Sequence, residues 1–182
     1  MYLASIGSIK EGFKVLLSEE DYILVERELV RAFTKVFKGS LVSLVLYGSY
    51  ARREARSDSD IDILLVVEDE LSDRMKVHKM VDEVEEILEG LYSALAKKNY
   101  HPVLSPYILT RSQARIFRPI YLDLVFDARI LYDRDGFMIK VLNRVRKVLE
   151  KVGVERRRVG KGWVVVLKPK DFKFGDRIVL EV

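Results

Sequence analysis

The chain has 182 residues and a mass of 21.1 kDa, a length for one domain or for one domain with a small appendage. An apolar fraction of 49% beside 33% charged residues supplies a packed core and excludes a disordered tail protein. With no cysteine, disulfides, thiolate metal sites and cysteine nucleophiles are excluded, and the two histidines, His78 and His101, match no zinc-ligand spacing. No apolar run approaches the roughly 18 residues of a membrane span, and the first residues show no basic leader followed by an apolar stretch. The expectation is a cytoplasmic protein without a membrane partner. Only three amides (Asn99, Gln113, Asn143) stand among many ion-pairing side chains, a thermophile-like composition. The net charge of +4 is uneven: residues 1–139 hold 19 Lys and Arg against 23 Asp and Glu, whereas residues 140–182 hold 13 against 5. The basic tail end suits nucleic acid, an acidic partner or nucleotide phosphates.

In chain order, residues 18–38 predict an amphipathic helix. Ser18 is its cap, Glu19, Glu20 and Asp21 form an acidic first turn, Ile23, Leu24, Val30, Phe33 and Phe37 repeat at helical period, and Gly39 marks the stop. LVSLVLY (41–47) and IDILLVV (61–67) are short, β-branched and apolar on both faces, so both predict buried strands. Residues 72–98 predict a long helix with an acidic face. VLSPYILT (103–110) predicts a strand, placed at an edge by Pro106. A short helix near 112–117 precedes PIYLDLVF (119–126), read as a third buried strand. DRDG (133–136) predicts a turn and residues 137–152 a basic amphipathic helix. The chain then runs through the arginines 156–158, a solvated loop or an RNA- or partner-binding patch, into a β-hairpin arm whose loop holds Pro169 and Gly175. The expected architecture is α/β (α+β), a mixed sheet with flanking helices, with residues 1–136 as the core domain and 137–182 as a basic helix-and-hairpin extension.

The chemistry concentrates between the first two strands, from Tyr47 to Asp62. Gly48 lets the backbone turn sharply and approach a ligand. Ser49 offers a hydroxyl and an N–H near the start of a short helix, where unpaired amides attract anions. Arg52, Arg53 and Arg56 carry planar forks suited to phosphate oxygens. Asp60 and Asp62 lie two residues apart on a strand, so both point to one face. Two such carboxylates repel unless a cation lies between them, and an oxygen-seeking ion such as Mg²⁺ is the natural one at a phosphate site. Two ions about 3.5–4 Å apart would clamp a phosphoryl or nucleotidyl transfer and call for a third carboxylate. Asp123, alone among apolar residues, is the candidate, with Asp127 as its rival four residues on. The alternative for Asp123 is a structural aspartate held by backbone amides or by Arg115 or Arg118. Tyr47 and Tyr50 could stack on a base or belong to the core.

The spacing Gly48-Ser49, ten residues, Asp60-Ile61-Asp62 resembles the minimal nucleotidyltransferases of the DNA polymerase β-like superfamily, whose signature is G-S-x10-D-x-D. Four specified residues at fixed positions arise by chance in about one window per 10⁵. The resemblance covers about residues 20–135 and implies a polymerase β palm-like fold. It implies that Gly48, Ser49, Arg52 and Arg53 bind the nucleotide, with the Gly-Ser loop on the β- and γ-phosphates. Asp60 and Asp62 would ligate two Mg²⁺ ions, and Asp123 would ligate one and activate the acceptor hydroxyl. The substrate would be ATP or another NTP, from which a nucleoside monophosphate, AMP in the first instance, passes to a hydroxyl. The family further suggests as acceptor a tyrosine on a partner HEPN toxin, which would make this chain an antitoxin. An aminoglycoside-type small-molecule acceptor and a nucleic-acid end are the alternatives within the class. Outside it stands a binding module that recognises a protein or RNA through its basic end. One departure is visible: the family often has glycine after the arginine of G-S-x-A-R-G, and here that position is Arg53.

Overall fold

The computed structural model describes residues 16–160 and 162–167. The first helix, α1 (Glu19–Phe37), starts where the cap signal puts it. Ser18 Oγ accepts from the Asp21 amide at 3.3 Å, and the Asp21 carboxylate accepts from the Ser18 amide at 2.8 Å, a reciprocal capping box. Its buried stripe is Tyr22, Val25, Leu29, Ala32, Phe33 and Phe37, while Ile23, expected inside, is 51% exposed. Strands β1 (Leu41–Leu46) and β2 (Ile61–Val67) follow as expected and pair antiparallel. A single helical turn between them, α2 (Gly48–Ala51), carries the Gly-Ser motif. Helix α3 (Arg74–Ala96) is capped by Asp73, whose carboxylate accepts from the Met75 amide at 2.9 Å. Strand β3 (Leu104–Thr110) lies parallel to β2 at the sheet edge, consistent with Pro106.

Residues 119–126 are not a strand. They form helix α4 (Tyr121–Asp127), which buries Tyr121, Leu124 and Val125 at a spacing of three and four and leaves Asp123 and Phe126 exposed. A short apolar run fits a strand or a buried helix equally well, and here the helical period decides. The strand at that end of the sheet is β4 (Arg129–Asp133), which pairs antiparallel with β1. The result is a mixed four-stranded sheet in the order β3-β2-β1-β4.

Side chains alternate across β2 and divide the core into two layers. Ile61, Ile63, Leu65 and Val67 pack beneath α1 and α3. Leu64 and Val66 face the other way, onto α4 and helix α5 (Phe137–Val152), with Tyr121, Leu124, Met138, Val141 and Val145. Asp62 belongs to this second face, at its rim. Buried Ser43 donates to Asp133 at 2.6 Å, and the Asp133 carboxylate in turn accepts from the Met138 and Ile139 amides, fastening α5 to the sheet. The boundary expected at residue 136 therefore falls inside a packed layer, because α5 completes the core beside β1 and β2.

Beyond α5, β5 (Val154–Val159) and β6 (Gly162–Leu167) form an antiparallel hairpin. The arginine run expected in a loop is part of β5. The expected loop with Pro169 and Gly175, and the segment after it, lie outside the described residues. No helix among the described residues is long and apolar enough to cross a membrane.

Candidate active site

The site is built where β1 ends and β2 begins. The Tyr47 amide donates to the Asp62 carbonyl at 3.0 Å, which holds the two strand ends together. The chain then turns at Gly48, whose φ of +68° is left-handed, and a Cβ at this position would collide with the Asp62 carboxylate. Glycine is thus required twice, by the bend and by the approach of the acidic group. After α2 the Glu54 amide donates to the Ser49 carbonyl at 2.9 Å, and the Arg56 amide to Ser59 Oγ at 2.9 Å, so the loop is tied to itself up to Asp60.

Asp60 and Asp62 lie near enough for the charge of the first to act on the second. Asp62 is half-buried and Asp60 exposed. Burial, and then the neighbouring Asp60 charge, push the Asp62 carboxyl above its usual range, against the pull of Arg52 and a hydrogen bond with Ser105. Ser105 is the residue that β3 sets beside Asp62 in the parallel register. Its part is invisible in the sequence, because only strand pairing brings it there. The pair of carboxylates fits magnesium, which binds through one or two carboxylates and completes its shell with water and substrate phosphates.

Asp123, the expected third carboxylate, lies on α4 and not on a strand. It is exposed in the first turn of α4, and among the described residues no three acidic or histidine side chains could hold a metal together. It nevertheless shares an environment with Asp62. Burial, then the charges of Asp62, Tyr107 and Asp123, push the Tyr47 phenol up to about 12. Its rival Asp127 is neutralised by the protein: Arg156 Nη1 donates to Asp127 Oδ1 at 2.6 Å, with Nη2 on the second oxygen, and Arg52 Nη1 donates to it at 3.5 Å. Arg156 is therefore turned inward, with 13% of its side chain exposed, and its guanidinium lies 5.3 Å over the Phe126 ring. Arg157, its neighbour, pairs with Glu155 at 2.8 Å. Arg156 is thus drawn into the protein, while Arg157 and Arg158 stay exposed on β5.

Of the arginines expected at the nucleotide, Arg52 stays at the site. It donates to Glu54 at 3.1 Å and to Asp127, and its charge reaches Asp62. Arg53 leaves it. Its guanidinium donates to Glu26 at 2.7 Å and to Glu19 at 2.9 Å, and lies 4.8 Å over the Tyr22 ring, so it fastens the loop to α1. Its φ of +61° is the left-handed conformation that favours glycine, held here by an arginine. Tyr50 is fully buried and meets Tyr22 edge-on at 6.1 Å, so it is core and not a base-stacking surface. Tyr47 remains partly exposed.

A cavity of about 390 Å³ opens beside the loop. Ser49, Arg52, Arg56 and Ser59 line it, and Arg158 reaches it from β5; Glu54 and Asp58 complete its rim. Three guanidinium groups against two carboxylates give it a positive balance that suits an anion.

The profile of the nucleotidyltransferase domain family matches residues 26–118, just over half of the chain. The chain is 26% identical over 127 residues to the protein named "Putative protein adenylyltransferase MJ1305" of Methanocaldococcus jannaschii, a match spanning 69% of this chain and 81% of that protein. Among solved structures it resembles a toxin–antitoxin complex with AMP-PNP, at 16% identity and a TM-score of 0.39 over 69% of this chain and 90% of the other. It also resembles the complex of a tri-AMPylated Shewanella oneidensis HEPN toxin with an MNT antitoxin, at 16% identity and a TM-score of 0.38 over 71% and 90%. The chain belongs to the nucleotidyltransferase domain family, and it is a nucleotidyltransferase enzyme.

Proposed function

We propose that the protein is a magnesium-dependent adenylyltransferase that moves AMP from ATP to a protein hydroxyl, with a tyrosine of a HEPN-type toxin as the acceptor and an antitoxin role for this chain. The observation that carries the reading is the pair Asp60 and Asp62, whose like charges act on each other against a glycine turn beside a cavity lined by arginines, with Arg52 as the opposing charge. The protein-acceptor choice draws support from the name of the Methanocaldococcus relative and from the resemblance of the motif to minimal nucleotidyltransferases.

Asp60 and Asp62 hold the magnesium, which supplies charge neutralisation at the phosphates. The Gly48-Ser49 turn and Arg52 take the β- and γ-phosphates, as the motif resemblance implies. Asp123, exposed on α4 and near the Tyr47 phenol that also senses Asp62, receives the acceptor's proton as a general base rather than as a metal ligand. The acceptor oxygen forms a bond to the α-phosphorus, the bond from that phosphorus to the bridging oxygen breaks, and pyrophosphate leaves. Fixed geometry and electrostatics supply most of the rate in such a transfer.

Incubation of the full chain with α-labelled ATP, Mg²⁺ and a candidate HEPN partner tests the reading. Label on a partner tyrosine, absent with Asp60→Asn or Asp62→Asn and absent with chelator, is the expected outcome. Label that persists in both variants would overturn it. Label appearing only on an aminoglycoside or on RNA would overturn the choice of acceptor.

A further inference from the structure

Strand β5 lies outside the segment that matches the family, yet it reaches the candidate phosphate cavity. Its placement is fixed by Arg156, whose fork grips the Asp127 carboxylate while the guanidinium covers Phe126. Asp127 also accepts from Arg52, so one carboxylate fastens both the hairpin and an arginine of the Gly-Ser loop to the end of α4. Along a strand, residues two apart point to one side. Arg156 and Arg158 thus share a face of β5, and with Arg156 anchored on α4, Arg158 arrives at the wall of the cavity that Ser49, Arg52 and Arg56 line.

We infer that Arg158 is a phosphate-binding residue of this site, lent by the C-terminal hairpin, and that it grips the polyphosphate end of the nucleotide together with Ser49 and Arg52. The inference rests on the reading that the Gly48-Ser49 turn takes the β- and γ-phosphates. The chemistry is that of a delocalised fork against phosphate oxygens, with Arg52 and Arg56 sharing the charge and Glu54 and Asp58 excluding a second anion from the rim. The hairpin is then a working part of the active site and not an appendage to it. Arg157 points to the other side of β5, where it pairs with Glu155, and serves as the matched control.

Calorimetric titration of the full chain with magnesium-ATP, and with AMP, tests the inference. Arg158→Ala is expected to weaken magnesium-ATP about tenfold, the scale of one charge-assisted hydrogen bond, and to leave AMP within about twofold. Arg158→Lys, which keeps the charge and loses the fork, is expected to fall between, and Arg157→Ala to match the wild type. The inference is overturned if Arg158→Ala binds magnesium-ATP as the wild type does, or if it weakens ATP and AMP alike, as loss of a merely structural contact would. A wild-type chain with no affinity for magnesium-ATP would instead overturn the reading of the whole site.

Discussion

Two half-buried carboxylates feel the charge of Arg52, and the protein treats them in opposite ways. Asp127 receives a bidentate grip from Arg156 and a further contact from Arg52, so its charge is satisfied within the chain. Asp62 meets burial and the like charge of Asp60, and its carboxyl is held above the usual range despite Arg52 and Ser105. A carboxylate paired by its own protein is a structural fastening; one left in conflict with its neighbour is the kind of group that a cation would relieve, as the proposed function requires. Both arginines are paired within the chain, but Arg53 pairs with Glu19 and Glu26 on α1, whereas Arg52 pairs with Glu54 and Asp127 and lines the cavity.

The contrast is broken most decisively at Asp62. Asp62→Asn is expected to lower AMP transfer about a thousandfold or more, with loss of magnesium-dependent nucleotide binding, since removal of a metal's ligand removes the charge clamp on the phosphates. Near wild-type transfer by that variant would end the argument. Asp123→Asn should cost about a hundredfold in transfer, as loss of a general base does, while magnesium-ATP binding stays unchanged. A parallel loss of binding would show instead that Asp123 joins the metal. At Asp127 the expected damage is to stability. Asp127→Ala leaves Arg156 without its carboxylate, and about 2 kcal/mol is a fair scale for a pair that is mostly but not fully buried. That corresponds to a melting temperature lower by about 6 °C in a chain of this size, and an unchanged melt would deny the fastening role.

The smallest effect concerns pH. Because the folded state raises the Asp62 carboxyl, the neutral form is favoured on folding, and that contribution is lost as pH rises through the raised value. Without ligand, Asp62→Asn is therefore expected to melt slightly higher than the wild type at neutral pH. The gap should close as the solution is acidified and the wild-type carboxyl protonates. Magnesium-ATP should reverse the order by stabilising only the wild type. A gap that widens in acid would contradict the sign.

Much of this was legible in the residues. Ser18 and its acidic first turn mark the start of α1, and the two apolar runs at 41–47 and 61–67 declare buried strands because both of their faces meet helices. The Asp60–Asp62 spacing places them together without further help. Asp123 was misplaced for a physical reason. PIYLDLVF is rich in residues that favour strands, and only the burial of Tyr121, Leu124 and Val125 against α5 reveals the helical period. The strand that does complete the sheet, Arg-Ile-Leu-Tyr-Asp at 129–133, is too short and too mixed to stand out. Likewise VERRRV reads as a charged loop, whereas it is a polar strand of a two-stranded hairpin. Ser105 gains its place from the parallel pairing of β3 with β2, and Arg158 from the contact of Arg156 with Asp127, neither of which a local pattern records.

Arg53 carries a broader lesson for how such loops diversify. A left-handed bend, the conformation glycine adopts most freely, is made here by a bulky cation held from outside, by two glutamates and an aromatic ring of α1. The left-handed residue costs about 1 kcal/mol relative to glycine, and those anchors offset it. The shape of the phosphate loop is thereby coupled to the first helix, so changes at Glu19 or Glu26, far along the chain, would be felt at the nucleotide. A motif search that insists on glycine at this bend would pass over chains that reach the same geometry by this route.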